Sequence, residues 1–84
     1  MHRVVVYTAP MCAYCRQAKA LLTSRGIPFE EIDLGFDTEQ RKWLRERTGR
    51  STVPQIFIDD KSIGGFDELA QLDRKGSLVE LEGG

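Results

Sequence analysis

The chain is expected to fold as one mixed α/β domain, a four-stranded sheet flanked by three or four helices. Three observations predict this. The β-branched run Val4-Val5-Val6-Tyr7, a stretch of helical periodicity and a second extended run at 29–34 follow one another, a β-α-β order that demands two parallel strands and a right-handed crossover. Further on, two apolar runs flank Asp59-Asp60-Lys61, turn chemistry that reads as an antiparallel hairpin. Finally, 84 residues without repeat, low-complexity segment or linker leave room for a single small domain, so residues 1–84 are taken as one unit.

Residues 3–7 read as a buried strand and Thr8-Ala9-Pro10-Met11 as a loop. A first helix then runs from Cys12 or Ala13 to Arg25, with Cys15, Ala18, Leu21 and Leu22 on one face. Gly26 stops it and Pro28 prevents resumption. After the second strand, Asp37 caps a second helix, with Gln40 at the reciprocal capping-box position, Trp43 and Leu44 turned inward and Gly49 at its end. A third strand spans 53–59 with Pro54 near its start. A short fourth strand at 62–64 is broken by Gly64-Gly65, and a third helix covers 67–74, closed by Gly76. The tail 77–84 adds at most a final turn before fraying.

Composition narrows the function. Apolar residues make up 40% and charged residues 30%, an ordinary soluble balance, and a net charge of −1 gives no reason to expect nucleic-acid binding. No run approaches the roughly 18 apolar residues of a membrane span. Met1-His2-Arg3 leads into a strand without a secretory apolar stretch, so the expected location is cytoplasmic. The basic cluster Arg41, Lys42, Arg45, Arg47 and Arg50 reads residue by residue as a solvated face, and His2 as a bystander.

The two cysteines, Cys12 and Cys15, stand at the start of the first helix as Cys12-Ala13-Tyr14-Cys15. They are too few for a closed zinc site or a secreted disulfide framework, and a structural bridge here would close too small a loop to constrain much unfolded chain. Unpaired N–H groups and the helix dipole favour an anion at the first thiol, and the pair can close a small redox-active ring. Cys15 also falls on the apolar face, so taken alone it could be a core residue. Tyr14 reads as an exposed contact beside the site or as a packed aromatic.

Three motifs in order carry a family resemblance: Cys12-x-Tyr14-Cys15 after the first strand, Thr52-Val53-Pro54 before the third, and Gly64-Gly65-Phe66-Asp67 after the fourth. Together they resemble a glutaredoxin of the short bacterial dithiol type, from Val4 to about Leu78. The resemblance implies a thioredoxin-like fold with strand order 2-1-3-4, a cis Pro54 facing the cysteines, and glutathione as co-substrate. It implies Cys12 as the nucleophile and Cys15 as the resolving thiol. Thr52 and Val53 would pair with the cysteinyl backbone of glutathione as an added strand does. Gly65, Phe66 and Asp67 would hold its γ-glutamyl end, and Arg41 its glycine carboxylate, with Tyr14 and Pro54 completing the contacts. Asp67 could instead be the N-cap of the third helix, or serve as cap and ligand together.

The expected activity is reduction of glutathione mixed disulfides and protein disulfides by a monomer, with glutathione reductase as indirect partner and no resident metal. Two departures from the family pattern stand out. Ala13 replaces the usual proline, and Ala9 replaces a frequent lysine, which puts more weight on the helix terminus, Arg16 and Arg41. Ala13 keeps open a carrier that bridges a [2Fe–2S] cluster between two subunits. A third reading is a glutathione-independent redoxin fed by thioredoxin reductase, against which Asp67 and Arg41 speak.

Overall fold

The computed structural model describes residues 2–78. The elements run β1 (Val4–Thr8), α1 (Ala13–Ser24), β2 (Glu30–Asp33), α2 (Thr38–Thr48), β3 (Gln55–Ile58), β4 (Lys61–Gly64) and α3 (Phe66–Arg74). One sheet orders the strands β2-β1-β3-β4. β1 pairs parallel with β2, Val6 opposite Glu31, and antiparallel with β3, Val6 opposite Ile56. This is the mixed sheet, the strand order and the thioredoxin-like fold expected. The final turn anticipated after Leu78 lies outside the described residues.

β1 reads Val-Val-Val without alternation because both of its faces are covered. Val4 and Val6 pack with Ile56 against Ala18 and Leu22 of α1 and Leu69 of α3. Val5 and Phe57 pack on the opposite face against Leu44 of α2 and Leu34. β2, at the sheet edge, keeps Glu30 and Glu31 exposed, charges that discourage further pairing. In the hairpin, Asp59 and Asp60 both take positive φ, 51° and 68°. That matches the right-handed strand twist in a two-residue turn, and Asp tolerates it.

Helix α1 ends as its sequence predicts: Gly26 takes φ 69° and the Ile27 N–H reaches back to the Leu22 carbonyl at 2.9 Å, a Schellman closure. Two details of α2 differ from expectation. The Asp37 carboxylate does cap it, accepting the Glu39 and Gln40 N–H groups at 3.0 and 3.1 Å. The reciprocal bond from Gln40 is absent, because the Asp37 N–H is already donated to the Leu34 carbonyl. Trp43 is not core. It is 44% exposed, leaning on Tyr7 at 5.6 Å with the Arg47 guanidinium over its ring. Leu44 alone of α2 is buried, and the neighbouring Trp43 falls at the margin of that narrow contact.

The carboxyl end of β1, the amino ends of β3 and α1, and the amino end of α3 all meet at one end of the sheet. Every candidate motif converges there.

Candidate active site

Cys12 is the N-cap of α1, with extended backbone at φ −105° and ψ 110°. Its Sγ accepts the Cys15 N–H at 3.2 Å, taking the place an oxygen of Ser or Asp usually fills. The same thiol donates to the Val53 carbonyl at 3.6 Å. The sulfur therefore sits between the first turn of α1 and the strand-entry loop at Val53. Cys12 is half-buried and Cys15, one turn on, only 2% exposed.

Both cysteines are free thiols. Burial pushes Cys15 up to about 12, and its hydrogen bond with Cys12 adds to the rise; a bond to the Ala9 backbone and the nearby Lys19 charge pull the other way. Cys15 is therefore a protonated thiol around neutral pH, while Cys12 adjoins Val53, which lines the groove described next.

Residues 52–54 carry the loop into β3, and the Val53–Pro54 peptide bond is cis. Pro54 is buried and Val53 half-buried. Across from them, the amino end of α3 begins at Gly65. Between the two lies a groove of about 320 Å³ lined by Tyr14, Thr52, Val53, Pro54, Gly65, Phe66 and Asp67, together with Arg50 and Glu68. Tyr14 is 59% exposed and leans on Phe66, ring centroids 6.1 Å apart, so it is both an exposed contact and a packed aromatic. Asp67 is not the N-cap: Gly65 is, and Asp67 stands exposed in the first turn.

Arg41 is placed elsewhere. Its guanidinium donates to the Gly35 carbonyl at 2.5 and 3.1 Å. It lines a separate depression on α2 with Thr38, Glu39, Lys42, Arg45 and Ser51. Neither Arg16 nor Arg41 hydrogen-bonds to Cys12 among the described residues.

Two residues of the groove were not singled out from the sequence. Glu68 Oε1 accepts the Gly65 N–H at 2.7 Å and the Arg50 guanidinium at 2.7 Å, and these two bonds, the backbone one foremost, hold its carboxyl below the usual carboxylate range. Arg50 thus faces the groove and is no generic solvated charge. The signal for Glu68 was its place three residues after the cap, the capping-box spacing. Nothing local distinguished Arg50 from the rest of the basic cluster. Gly64 is required here: its φ is +109°, and a Cβ would come within 2.3 Å of the Glu68 carboxylate.

A thiol capping a helix, a buried thiol one turn behind it and a cis proline opposite, on a sheet ordered 2-1-3-4, define a thiol–disulfide oxidoreductase of the thioredoxin-like fold. The glutaredoxin family model matches residues 4–63. Over 81 residues the chain is 47% identical to Glutaredoxin 3 of Escherichia coli K12, covering 96% of this chain and 98% of that one. It is 44% identical to a glutaredoxin of Pseudomonas aeruginosa, with 96% of each covered. Among solved structures it resembles a buckwheat glutaredoxin–glutathione complex (TM-score 0.86, 32% identity, 95% of this chain and 76% of that one). It also resembles the glutaredoxin of Brucella melitensis (TM-score 0.83, 47% identity, 94% and 86%). The chain belongs to the glutaredoxin family, alongside its short bacterial members.

Proposed function

We propose that the chain is a glutathione-dependent oxidoreductase that reduces glutathione mixed disulfides and protein disulfides. The observation that carries this reading is the Cys12 sulfur, capping α1 beside the Val53 carbonyl at one side of the groove between residues 52–54 and the start of α3. The Cys12 thiolate attacks the glutathionyl sulfur of a mixed disulfide, releasing the substrate thiolate and leaving glutathione on Cys12. A second glutathione thiolate attacks that bond, giving oxidised glutathione and the free Cys12 thiolate. With a protein disulfide, Cys12 attacks first and Cys15, after losing its proton, displaces the product thiol, closing Cys12–Cys15; two glutathiones then reopen it. Each step is a thiol–disulfide exchange, so rate follows thiolate fraction, leaving group and access.

In this reading the cysteinyl backbone of glutathione pairs with Val53, next to Thr52, and lies over Pro54 and Tyr14. Its γ-glutamyl carboxylate takes the N–H groups of Phe66 and Asp67. The Gly65 N–H is occupied by Glu68, so Gly65 contributes room: a Cβ there would sit 3.1 Å from the Pro54 carbonyl. The Asp67 carboxylate, exposed and without a hydrogen bond among the described residues, is left for the ammonium. Arg41 takes the glycine carboxylate by releasing Gly35, and Arg50, already in the groove, is the alternative cation. Glutathione reductase would regenerate the co-substrate for a monomer working in the cytoplasm.

The test is turnover of a glutathione mixed disulfide, coupled to glutathione reductase, for wild type and each cysteine variant. Cys12→Ser is expected to abolish all activity. Cys15→Ser is expected to retain deglutathionylation and lose protein-disulfide reduction. A Cys15→Ser protein inert toward the mixed disulfide would overturn the assigned roles, and turnover supported by thioredoxin reductase in place of glutathione would overturn the co-substrate.

A further inference from the structure

Gln55, the first residue of β3, is fully buried, and its side-chain amide is only half satisfied. Its Nε2 donates to the Thr52 carbonyl at 3.0 Å and lies 3.4 Å from Thr52 Oγ1. Its Oε1 is buried without a partner among the described residues. The orientation is forced, since a carbonyl only accepts and the amide nitrogen must face it. Packing does not account for such a residue: a buried acceptor left alone costs free energy, and an apolar side chain of the same shape would fill the space without that cost.

The geometry points to another role. We infer that Gln55 is a positioning residue for the groove, holding the Thr52–Val53 peptide plane so that the Val53 N–H is presented to the ligand. The Thr52–Val53 bond is trans, cis geometry being confined to Val53–Pro54. In a planar trans peptide the C=O and the following N–H point in opposite directions. Fastening the Thr52 carbonyl to the buried amide therefore turns the Val53 N–H the other way, towards the groove that Val53 lines. That N–H makes no hydrogen bond among the described residues, and the Val53 carbonyl already meets the Cys12 thiol. A free backbone N–H on a residue that lines the groove is what an added strand's carbonyl pairs with. The inference rests on the proposed glutathione reading and adds to it the residue that sets the pairing edge.

The test replaces Gln55 with methionine, similar in length and unable to donate. In the mixed-disulfide assay, the KM for the glutathionylated substrate is expected to rise about tenfold with kcat within twofold. Alkylation of Cys12 by iodoacetamide should keep its wild-type rate, and the melting temperature should stay level or rise. An unchanged KM, or a joint fall of kcat, alkylation rate and melting temperature, would overturn the inference. Wild-type protein provides a second test, by NMR titration with S-methylglutathione. The Val53 amide should shift downfield and exchange more slowly, and a Val53 amide unmoved by a ligand that binds would refute its presentation. Wild-type protein that neither turns over the mixed disulfide nor binds S-methylglutathione would instead fail the glutathione reading, and this inference with it.

Discussion

Glu68 offers the sharpest test of how the groove is held together. Its carboxylate joins the start of α3 to the loop before β3, because one oxygen accepts both the Gly65 N–H and Arg50. Glu68→Ala removes both bonds. Losing a capping interaction costs about 1 kcal/mol, and an ion pair whose side chains are 50% and 34% exposed contributes roughly 0.2–1 kcal/mol. The expected loss is about 1.5 kcal/mol, or a fall in melting temperature of roughly 6–12 °C for a domain of this size. Glu68→Gln keeps an acceptor for Gly65 and gives up only the charge, so its loss should be about one third as large.

The pH dependence carries its own sign. A carboxyl depressed in the folded state contributes stability above its unfolded value and loses that contribution as pH falls through the folded value. The gap between wild type and Glu68→Ala, read from circular-dichroism melts, should therefore be full at pH 7 and close progressively below the ordinary carboxylate range. Equal damage by Ala and Gln, or a gap that stays constant from pH 7 to pH 3, would refute the assignment of cap and charge to this one side chain.

With Cys15 pushed up to about 12 by burial, iodoacetamide at pH 7–9 should label Cys12 alone. Mass spectrometry should find Cys12→Ser labelled at least about a hundredfold more slowly than Cys15→Ser, given a thiolate fraction near 10⁻³ at pH 9 for such a group; comparable rates would contradict the burial of Cys15. Asp67→Asn is expected to raise the glutathione concentration needed for half-maximal turnover by about tenfold while leaving Cys12 alkylation unchanged, since an exposed hydrogen bond to a charged group falls at the low end of the usual range, about 1.5 kcal/mol. No change in glutathione dependence would take Asp67 out of the ligand set. For the carrier alternative, protein purified without air should be colourless and run at monomer mass. A brown dimer with thiolate-to-iron absorbance would favour a bridged cluster, for which each chain has only Cys12 accessible.

The path of the chain was legible because local chemistry states it. The Val-Val-Val run, the Gly26 stop, the Asp37 cap and the Asp59-Asp60 turn each act over a few residues, through backbone conformation and periodicity that no distant partner alters. The cysteine pair was legible for the same reason, since Cys12 and Cys15 are brought together by one turn of one helix. Trp43 was misread because helical periodicity marks a row of side chains without saying how far the neighbouring surface extends. Gln40 was misread because the Leu34 carbonyl claims the N–H it would have capped.

The sequence by itself determined the order of elements, the helix-start thiol and the three motifs. Only the tertiary structure decided which charges share the groove. Arg41 and Arg50 are alike in sequence, yet one is tied to Gly35 and the other to Glu68 across the gap between β3 and α3. That outcome depends on strand order and on where two loops end, and a charge interacts with whatever the fold sets beside it, over distances that sequence spacing does not encode.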